Sequence, residues 1–189
     1  MKEVESTLAP TLWRTFRAVA SVNRLRCLKV VLKRPGISVE LVAGATCLTE
    51  PKVSLALRAL QSRGLIAFER RSRWVMYNPG PEPSVRAAKR FLVAMKDALI
   101  TKEMSEEEIA RTAKAYTHPR RINIVRALAF TGPIDPVELA SEVQISPQAF
   151  TRHLRKLKAL GVVHKSERLC ALSKPKTKLA HDLLRIVLE

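Results

Sequence analysis

An internal repeat constrains the fold of this chain more than any other feature of its sequence. Leu25 aligns with Ile122, and the same offset of 97 positions, kept without a gap, pairs many identical residues. These pairs are Arg14/Arg111, Thr15/Thr112, Ala18/Ala115, Arg24/Arg121, Ile37/Ile134, Ala43/Ala140, Leu57/Leu154, Arg58/Arg155, Leu60/Leu157, Gly64/Gly161 and Arg71/Arg168. A single register kept over this length predicts two copies of one domain. We place the two domains at residues 1–102 and 103–189.

The clearest local pattern is the stretch Ile145–Val163 in the second copy. Phe150, Leu154 and Leu157 recur with the spacing of one helix face, and Gly161 ends the predicted helix. The outward-facing residues of this helix are Gln148, Thr151, Arg152 and Arg155. A short helix that is seated by three apolar residues and turns polar and basic groups outward suits a DNA major groove.

The remaining apolar patterns predict the same order of elements in each copy. In the first copy we predict helices at Thr7–Ala20, Asn23–Lys33, Val39–Ala45, Glu50–Arg63 and Val85–Ile100, a short strand at Ile37 and a hairpin of Leu65–Glu69 and Arg73–Tyr77, with a loop at Asn78–Ser84. In the second copy we predict helices at Ile109–Tyr116 and Pro119–Phe130, a strand at Ile134, a helix after Asp135, the Ile145–Val163 stretch, a hairpin at Val162–Leu172 and a helix at Lys176–Leu188. The predicted helix caps are Ser38, Thr49, Ser105, His118, Asp135 and Ser146. The predicted fold class is mainly α with small β-hairpin wings, in the order of a winged helix-turn-helix domain.

The charge of the chain indicates a nucleic-acid partner. Lys and Arg number 34 against 17 Asp and Glu, which gives a net charge of +17 that is spread over both copies. A folded and strongly basic chain binds phosphates by releasing counterions. The alternatives are a solvated basic surface and a membrane-surface protein. There is no apolar run of membrane-spanning length and no apolar signal segment at Met1–Pro10, so we expect a cytoplasmic protein.

The sequence offers little for catalysis or for metal binding. It has no glycine-rich phosphate loop, no nucleophile elbow and no supported pair of carboxylates, so we do not expect an enzyme. We expect no cofactor and no metal, because the three cysteines and four histidines do not follow the spacing of a metal site. Cys27 is predicted to be a core residue, Cys47 lies in a turn, and Cys170 lies on the second hairpin.

Two segments of the second copy resemble a known family. His118–Leu128 (HPRRINIVRAL) is similar to the D-P-x-R-x-x-I-L-x-x-L helix of ArsR-type winged-helix regulators. Val137–Val163 (VELASEVQISPQAFTRHLRKLKALGVV) resembles the helix-turn-helix core of the same family. The first copy matches the scaffold positions of this pattern but departs from it on the DNA side. The resemblance covers nearly the whole chain, taken twice.

The resemblance implies how the two copies would act together. In that family two identical chains pair through their first and last helices and place two recognition helices in successive major grooves, about 34 Å apart. One chain here would then be a monomer that does the work of a dimer. Two apolar faces suit such pairing: Val85, Ala88, Leu92, Met95 and Leu99 form a narrow heptad seam, and Leu179, Leu183 and Ile186 face one way on the last helix. The alternatives are two independent domains in series and a homodimer of the whole chain.

Twelve residues are candidate contacts with double-stranded DNA. In the second copy they are Gln148, Thr151, Arg152 and Arg155 on the helix and Lys165 and Arg168 on the hairpin. In the first copy they are Lys52, Ser54 and Arg58 on the helix and Arg70, Arg71 and Arg73 at the hairpin tip. Arginine can donate two hydrogen bonds to guanine or hold a phosphate. Leu55 stands where Arg152 stands and Ala56 where His153 stands, so the two copies are not expected to read the same bases.

Three further side chains have two interpretations each. Trp74 and Tyr77 can stack on bases, but aromatic residues of such hairpins more often pack on a helix. His153 is either a phosphate ligand or a half-buried packing residue. For the chain as a whole, we expect a sequence-specific DNA-binding transcriptional regulator. The rival interpretation is a chromosome- or replication-associated architectural protein whose winged helices bind DNA and protein partners.

Overall fold

The computed structural model describes residues 11–83, 85, 87–166 and 168–189, and it is mainly helical with two small antiparallel sheets. The first half consists of α1 (Leu12–Val19), α2 (Val22–Lys33), β1 (Ile37–Ser38), α3 (Val39–Thr46), α4 (Glu50–Gln61), β2 (Ile66–Arg71), β3 (Trp74–Pro79) and α5 (Ala88–Lys96). The second half consists of α6 (Glu106–Ala113), α7 (Pro119–Thr131), α8 (Pro136–Glu142), α9 (Pro147–Ala159), β4 (Val163–Ser166), β5 (Leu169–Leu172) and α10 (Lys178–Leu188). This architecture is compatible with the winged helix-turn-helix fold expected from the sequence.

The observed elements lie close to the predicted ones and differ mainly at their ends; β2, for example, runs to Arg71 and not to Glu69. The predicted start of the first helix, residues 7–10, lies outside the described residues. β3 runs to Pro79 and therefore takes in the first residues of the predicted loop. The predicted helix Val85–Ile100 begins only at Ala88 and changes to a π-helical turn at Asp97–Thr101. A further short turn, the 3-10 helix Lys114–Tyr116, continues α6.

Side chains cap four of the six helices for which a cap was predicted. The bonds run to Ser38 Oγ from the Leu41 amide (3.4 Å), to Ser105 Oγ from the Glu108 amide (3.2 Å), to His118 Nδ1 from the Arg120 amide (3.1 Å) and to Asp135 Oδ1 from the Val137 amide (2.7 Å). The prediction was wrong for Thr49 and Ser146, which precede α4 and α9 but make no capping bond. Pro51 removes one of the amides that Thr49 would reach. Nothing in the structure explains the missing bond at Ser146.

The backbone of the first half recurs in the second half at the offset of the sequence repeat. Cys47 and Gln144, in the turns before α4 and α9, both adopt a left-handed conformation, with φ of 56° and 52°. Gly64 and Gly161, after these helices, have φ of 65° and 73°. Positive φ is strained for most residues but open to glycine, which accounts for Gly at both helix ends.

One side-chain arrangement also recurs. Arg24 Nε donates to the carbonyl oxygen of Ala18 at 2.7 Å, and Arg121 Nε donates to that of Ala115 at 2.6 Å. In each half the guanidinium therefore ties the start of a helix to the end of the preceding helical segment. The short strand pairs in the same way in both halves, because Ile37 bridges Tyr77 on β3 and Ile134 bridges Cys170 on β5.

The hydrophobic core is continuous between the two halves. Phe16 on α1 contacts Phe91 on α5 and Tyr116 in the second half, with ring centroids 4.7 and 4.8 Å apart, and all three residues are buried. Lys29 and Glu106 add an ion pair of 3.0 Å between α2 and α6. The halves are therefore held together by apolar packing and by charge.

Helices α5 and α10 pack against each other and run antiparallel. Asp97, just after α5, pairs with Lys178 at the start of α10 at 3.0 Å, and Arg90 near the start of α5 pairs with Glu189 at the end of the chain. The buried face of α5 and the π-helical turn after it is wider than the predicted heptad seam, because Phe91, Ala94 and Ala98 are buried while Leu92 is only half-buried. On α10 the three residues predicted to face inward, Leu179, Leu183 and Ile186, are buried.

No helix in the part of the chain that the structure describes is long and apolar enough to cross a membrane.

Candidate nucleic-acid interface

Helix α9 presents one polar and basic face to solvent. Its opposite face is buried through Phe150, Leu154 and Leu157, as the periodicity predicted. The four predicted contact residues Gln148, Thr151, Arg152 and Arg155 are all exposed. Their spacing of three and four residues places them on one side of the helix. This face offers hydrogen-bond donors for base edges and positive charge for phosphates.

The exposed side chains of α9 differ in their freedom to bind. Thr151 Oγ1 donates to the carbonyl oxygen of Pro147 at 2.8 Å, which leaves the hydroxyl oxygen as an acceptor. Among the residues that the structure describes, the side chains of Gln148, Arg152 and Arg155 have no hydrogen-bond or ion-pair partner. These three groups can therefore contact a ligand without breaking a bond within the protein.

His153 packs inside the fold. Its side chain is only 5% exposed, and its ring lies 4.4 Å from the ring of His118, which caps α7. Nε2 of His153 is buried and lacks a hydrogen-bond partner among the described residues. Burial and then the charges of His118, Arg121, Arg152 and Arg120 lower the pKa of His153 to about 4. Of the two interpretations of this residue, packing fits its burial, and the ring is neutral at physiological pH.

Helix α4 presents a different face at the equivalent positions. Lys52 and Arg58 are exposed, whereas Ser54 is half-buried and accepts a hydrogen bond from Arg58 Nη2 at 3.0 Å. Leu55, which occupies the position of Arg152, is 66% exposed. On α3, Leu41 is also exposed. This face is therefore more apolar than the face of α9. Two of its polar side chains, Ser54 and Arg58, are already hydrogen-bonded to each other.

The hairpin of β2 and β3 carries the three predicted arginines at its tip. Arg70, Arg71 and Arg73 are exposed, but Arg71 Nη2 lies 2.7 Å from Glu69 Oε1, and Arg73 stacks over the ring of Trp74. Trp74 is 46% exposed. Tyr77 is buried, with its ring 6.4 Å from that of Phe68, so base stacking by Tyr77 is excluded in this conformation.

The hairpin of β4 and β5 is shorter and carries fewer charges. Lys165 and Arg168 are both exposed. Cys170 is buried on β5 where it pairs with Ile134, and Cys27 is buried in the core, whereas Cys47 is exposed. Within the described ranges no three side chains of His, Cys, Asp or Glu are grouped so that they could hold a metal ion.

The first half also carries a cluster of arginines that the sequence pattern did not reveal. Arg14 and Arg17 on α1, Arg24 on α2 and Arg63 after α4 line one cavity together with Trp13. The spacing of Arg14 and Arg17, three residues apart on a helix, was the available signal. The approach of Arg63 depends on how α4 packs against α1, which the local pattern does not reveal.

Comparison with known families identifies part of the second half. Residues 118–165 match the family model described as bacterial regulatory protein, arsR family. The match covers α7, α8, α9 and most of β4, and it includes every predicted contact on α9. This segment is therefore similar to an ArsR-type helix-turn-helix, which suggests DNA binding in transcription regulation. No curated protein matches the chain.

Proposed function

We propose that the chain is a sequence-specific double-stranded DNA-binding transcriptional regulator that uses α4 and α9 as two non-identical recognition helices. In this proposal residues 1–102 and 103–189 are tandem winged helix-turn-helix domains. They pair within one chain and need no second copy for DNA binding.

The exposed face of α9 is the observation that carries the proposal. Gln148, Arg152 and Arg155 project from a helix whose other side is anchored in the core, within the segment that matches the regulatory family. A rigid helix holds such donors in place better than a loop does. In the proposal, Thr151 and the basic residues Lys165 and Arg168 on the adjacent hairpin make further contacts with DNA.

Pairing of the halves within one chain is supported by the contacts between them. The core that includes Phe16 and Tyr116, together with the antiparallel packing of α5 on α10, buries apolar faces of both halves, as internal pairing requires. The recurring backbone geometry at Cys47 and Gln144 supports two related helix-turn-helix units. We expect the protein to sediment as a monomer at micromolar concentration, and a stable dimer would contradict internal pairing.

The unequal faces of α4 and α9 imply an asymmetric target. Leu55 can make only apolar contacts in a major groove, such as with a thymine methyl group, where Arg152 can bind guanine. The basic side chains of the first half would then bind phosphates and recognise the shape of the groove. They are Lys52 and Arg58 on α4 and Arg70, Arg71 and Arg73 on the hairpin. The half-site under α4 is therefore expected to be read less specifically than the half-site under α9.

A second candidate function rests on the same apolar face. Exposed Leu41 and Leu55 suit a protein partner, which favours the architectural alternative in which the first half binds protein and the second half binds DNA.

Selection of random duplex DNA by the purified full chain, followed by sequencing, separates these proposals. An enriched motif with two unlike half-sites one helical turn apart would support the regulator and the paired arrangement. A single half-site would support specification by α9 alone. Binding without enrichment, falling steeply with salt, would contradict sequence-specific recognition and favour the architectural alternative.

Variants of α9 then test the assignment on the selected sequence. We expect Arg152→Ala and Arg155→Ala each to weaken specific binding by about 1–3 kcal/mol for a lost base contact. Arg185→Ala, which removes an exposed arginine from α10, is the charge-matched control. If affinity and selectivity are the same in all three variants, α9 is not the recognition helix.

A further inference from the structure

Four arginines and one tryptophan line a cavity of about 320 Å³ on the first half. The cavity lies between α1, the start of α2 and the end of α4. Its lining residues are Trp13, Arg14, Arg17, Ala18, Arg24, Ala59, Ser62 and Arg63. None of the candidate DNA contacts of the chain lies in this lining.

No carboxylate balances the charge of the cavity within the described part of the chain. Some partly buried or exposed cations elsewhere in the fold have acidic partners, as in the pairs Lys29–Glu106 and Lys178–Asp97. Arg14, Arg17 and Arg63 have no such partner among the described residues. Burial and then the charge of Arg14 lower the pKa of Arg63. An arginine remains charged at neutral pH, so a bound anion would reduce the repulsion among these cations.

The cavity holds part of its charge in a fixed position. The Arg24 guanidinium donates to the carbonyl oxygens of Ala18 at 2.7 Å and Arg17 at 2.6 Å, which sets its orientation. The guanidinium carbons of Arg14 and Arg17 lie 5.1 and 5.6 Å from the centre of the Trp13 ring. Cation–π contact at these distances keeps both arginines beside the cavity. A ligand therefore meets groups that are partly preorganised.

The same place in the second half is less basic. The positions equivalent to Arg14, Arg17 and Arg24 hold Arg111, Lys114 and Arg121, whereas Leu160 stands where Arg63 stands. Ala110 replaces Trp13. The repeated scaffold therefore keeps Arg24 and Arg121 for their structural bonds, but it does not require the fourth arginine or the tryptophan. These two residues are a feature of the first half alone.

We propose that this arginine pocket binds a phosphate group. Guanidinium groups bind phosphate through paired, charge-assisted hydrogen bonds, which suits a cavity lined by four of them. The phosphate belongs either to the DNA backbone outside the predicted contacts or to a free phosphate ester. The DNA source rests on the proposed function, and the free source does not.

Inorganic pyrophosphate tests the pocket without DNA. Calorimetric titration of the full chain should show binding that the double variant Arg14→Gln/Arg17→Gln weakens by about tenfold or more. Arg111→Gln/Lys114→Gln is the matched control, because it removes two positive charges from the equivalent helix positions of the second half. This control should bind pyrophosphate within about twofold of the unmodified chain. Equal losses of pyrophosphate affinity in both double variants would show a general charge effect and overturn the proposal.

Two further measurements show whether the bound phosphate comes from DNA or from a free phosphate ester. If a backbone phosphate fills the pocket, saturating duplex DNA abolishes pyrophosphate binding and Arg14→Gln/Arg17→Gln weakens DNA binding more than the control does. If a free phosphate ester is the ligand, DNA and pyrophosphate bind together. Absence of pyrophosphate binding together with equal DNA affinity in both double variants would overturn the proposal, while the effects of Arg152 and Arg155 on DNA binding would still stand. Arg14→Gln alone replaces the double variant if that variant does not fold.

Discussion

The aromatic ring of Phe16 in the first half lies 4.8 Å from that of Tyr116 in the second half. Both side chains are buried, and Phe91 on α5 closes the same cluster with its ring 4.7 Å from that of Phe16. A cluster that draws on α1, α5 and the turn after α6 makes the stability of each half depend on the other. The chain should therefore unfold in one cooperative transition, although it contains a repeat.

Phe16→Ala should lower the free energy of unfolding of the whole chain by about 3–5 kcal/mol, because it leaves a cavity at the junction of the two halves. Chemical denaturation followed by circular dichroism measures this loss. Phe130→Ala is the control: Phe130 is 91% exposed, and its removal should change stability by less than about 0.5 kcal/mol. Two separate transitions in the unmodified chain would contradict the shared core.

Gly64→Ala should destabilise the protein more than Gly161→Ala does. Both glycines have positive φ, so alanine costs about 1–2 kcal/mol at either position. At Gly64 an added Cβ would also lie 2.6 Å from Glu82 Cβ and 3.0 Å from Val85 Cγ2, whereas at Gly161 no atom of the described residues, apart from the two adjacent ones, lies within 4 Å of an added Cβ. Thermal denaturation of the two variants compares them directly. Equal losses would show that the segment around Glu82 moves aside freely.

Stability should fall as the pH is lowered from about 6.5 towards 4, through the proton that His153 binds on unfolding. Burial and nearby positive charge lower the pKa of this histidine from 6.5 to about 4 in the folded chain. Between these values the unfolded state binds more protons, so the stabilisation is complete above 6.5 and is lost progressively below it. Denaturation midpoints measured across this range for the unmodified chain and for His153→Ala test the effect.

The His153→Ala variant should have a flatter pH profile than the unmodified chain. Ala56 occupies the equivalent position in the first half, which indicates that the scaffold accepts alanine there. Leu154→Ala removes a neighbouring buried side chain without removing a titrating group. It should lower stability at every pH and leave the slope unchanged. An unchanged slope in His153→Ala would rule out His153 as the source of the pH dependence.

Exchanging the residues at two equivalent positions should move DNA affinity in opposite directions. Arg152→Leu gives α9 the residue of α4, and it should weaken binding to the selected sequence by about 1–3 kcal/mol. Leu55→Arg gives α4 the residue of α9, and it should raise affinity and steepen the dependence on salt, because it adds a cation to an exposed face. Fluorescence anisotropy with labelled duplex at several salt concentrations measures both. No change in either variant would exclude both helices from the DNA interface.

The local pattern was sufficient to predict most elements and the exposure of the α9 residues. Phe150, Leu154 and Leu157 lie on the buried side of α9 because a helix with this periodicity has one apolar face to bury. The same reasoning identified Gln148 and Arg155 as exposed. Positive φ at Gly64 and Gly161 agrees with the glycines that were predicted to end the two helices.

Features that depend on packing between distant segments could not be predicted. The sequence favoured packing over base stacking for Tyr77 but did not decide between them, since the burial of this side chain depends on how the folded hairpin packs. The heptad pattern predicted for α5 did not include Phe91. This helix is covered on two sides, by α1 and by α10, and therefore buries a wider face than a heptad seam. The arginine pocket could not be predicted either, because it forms only where α1, α2 and α4 pack together.

The antiparallel contact of α5 with α10 also bears on behaviour at low abundance. An assembly of separate subunits dissociates when it is diluted, whereas segments of one polypeptide meet at a local concentration set by the connecting chain. The pairs Asp97–Lys178 and Arg90–Glu189 therefore form as readily in a cell with a handful of molecules as in a concentrated sample. In a homodimer one mutation changes both subunits, whereas in this chain a mutation changes only one of the two paired helices.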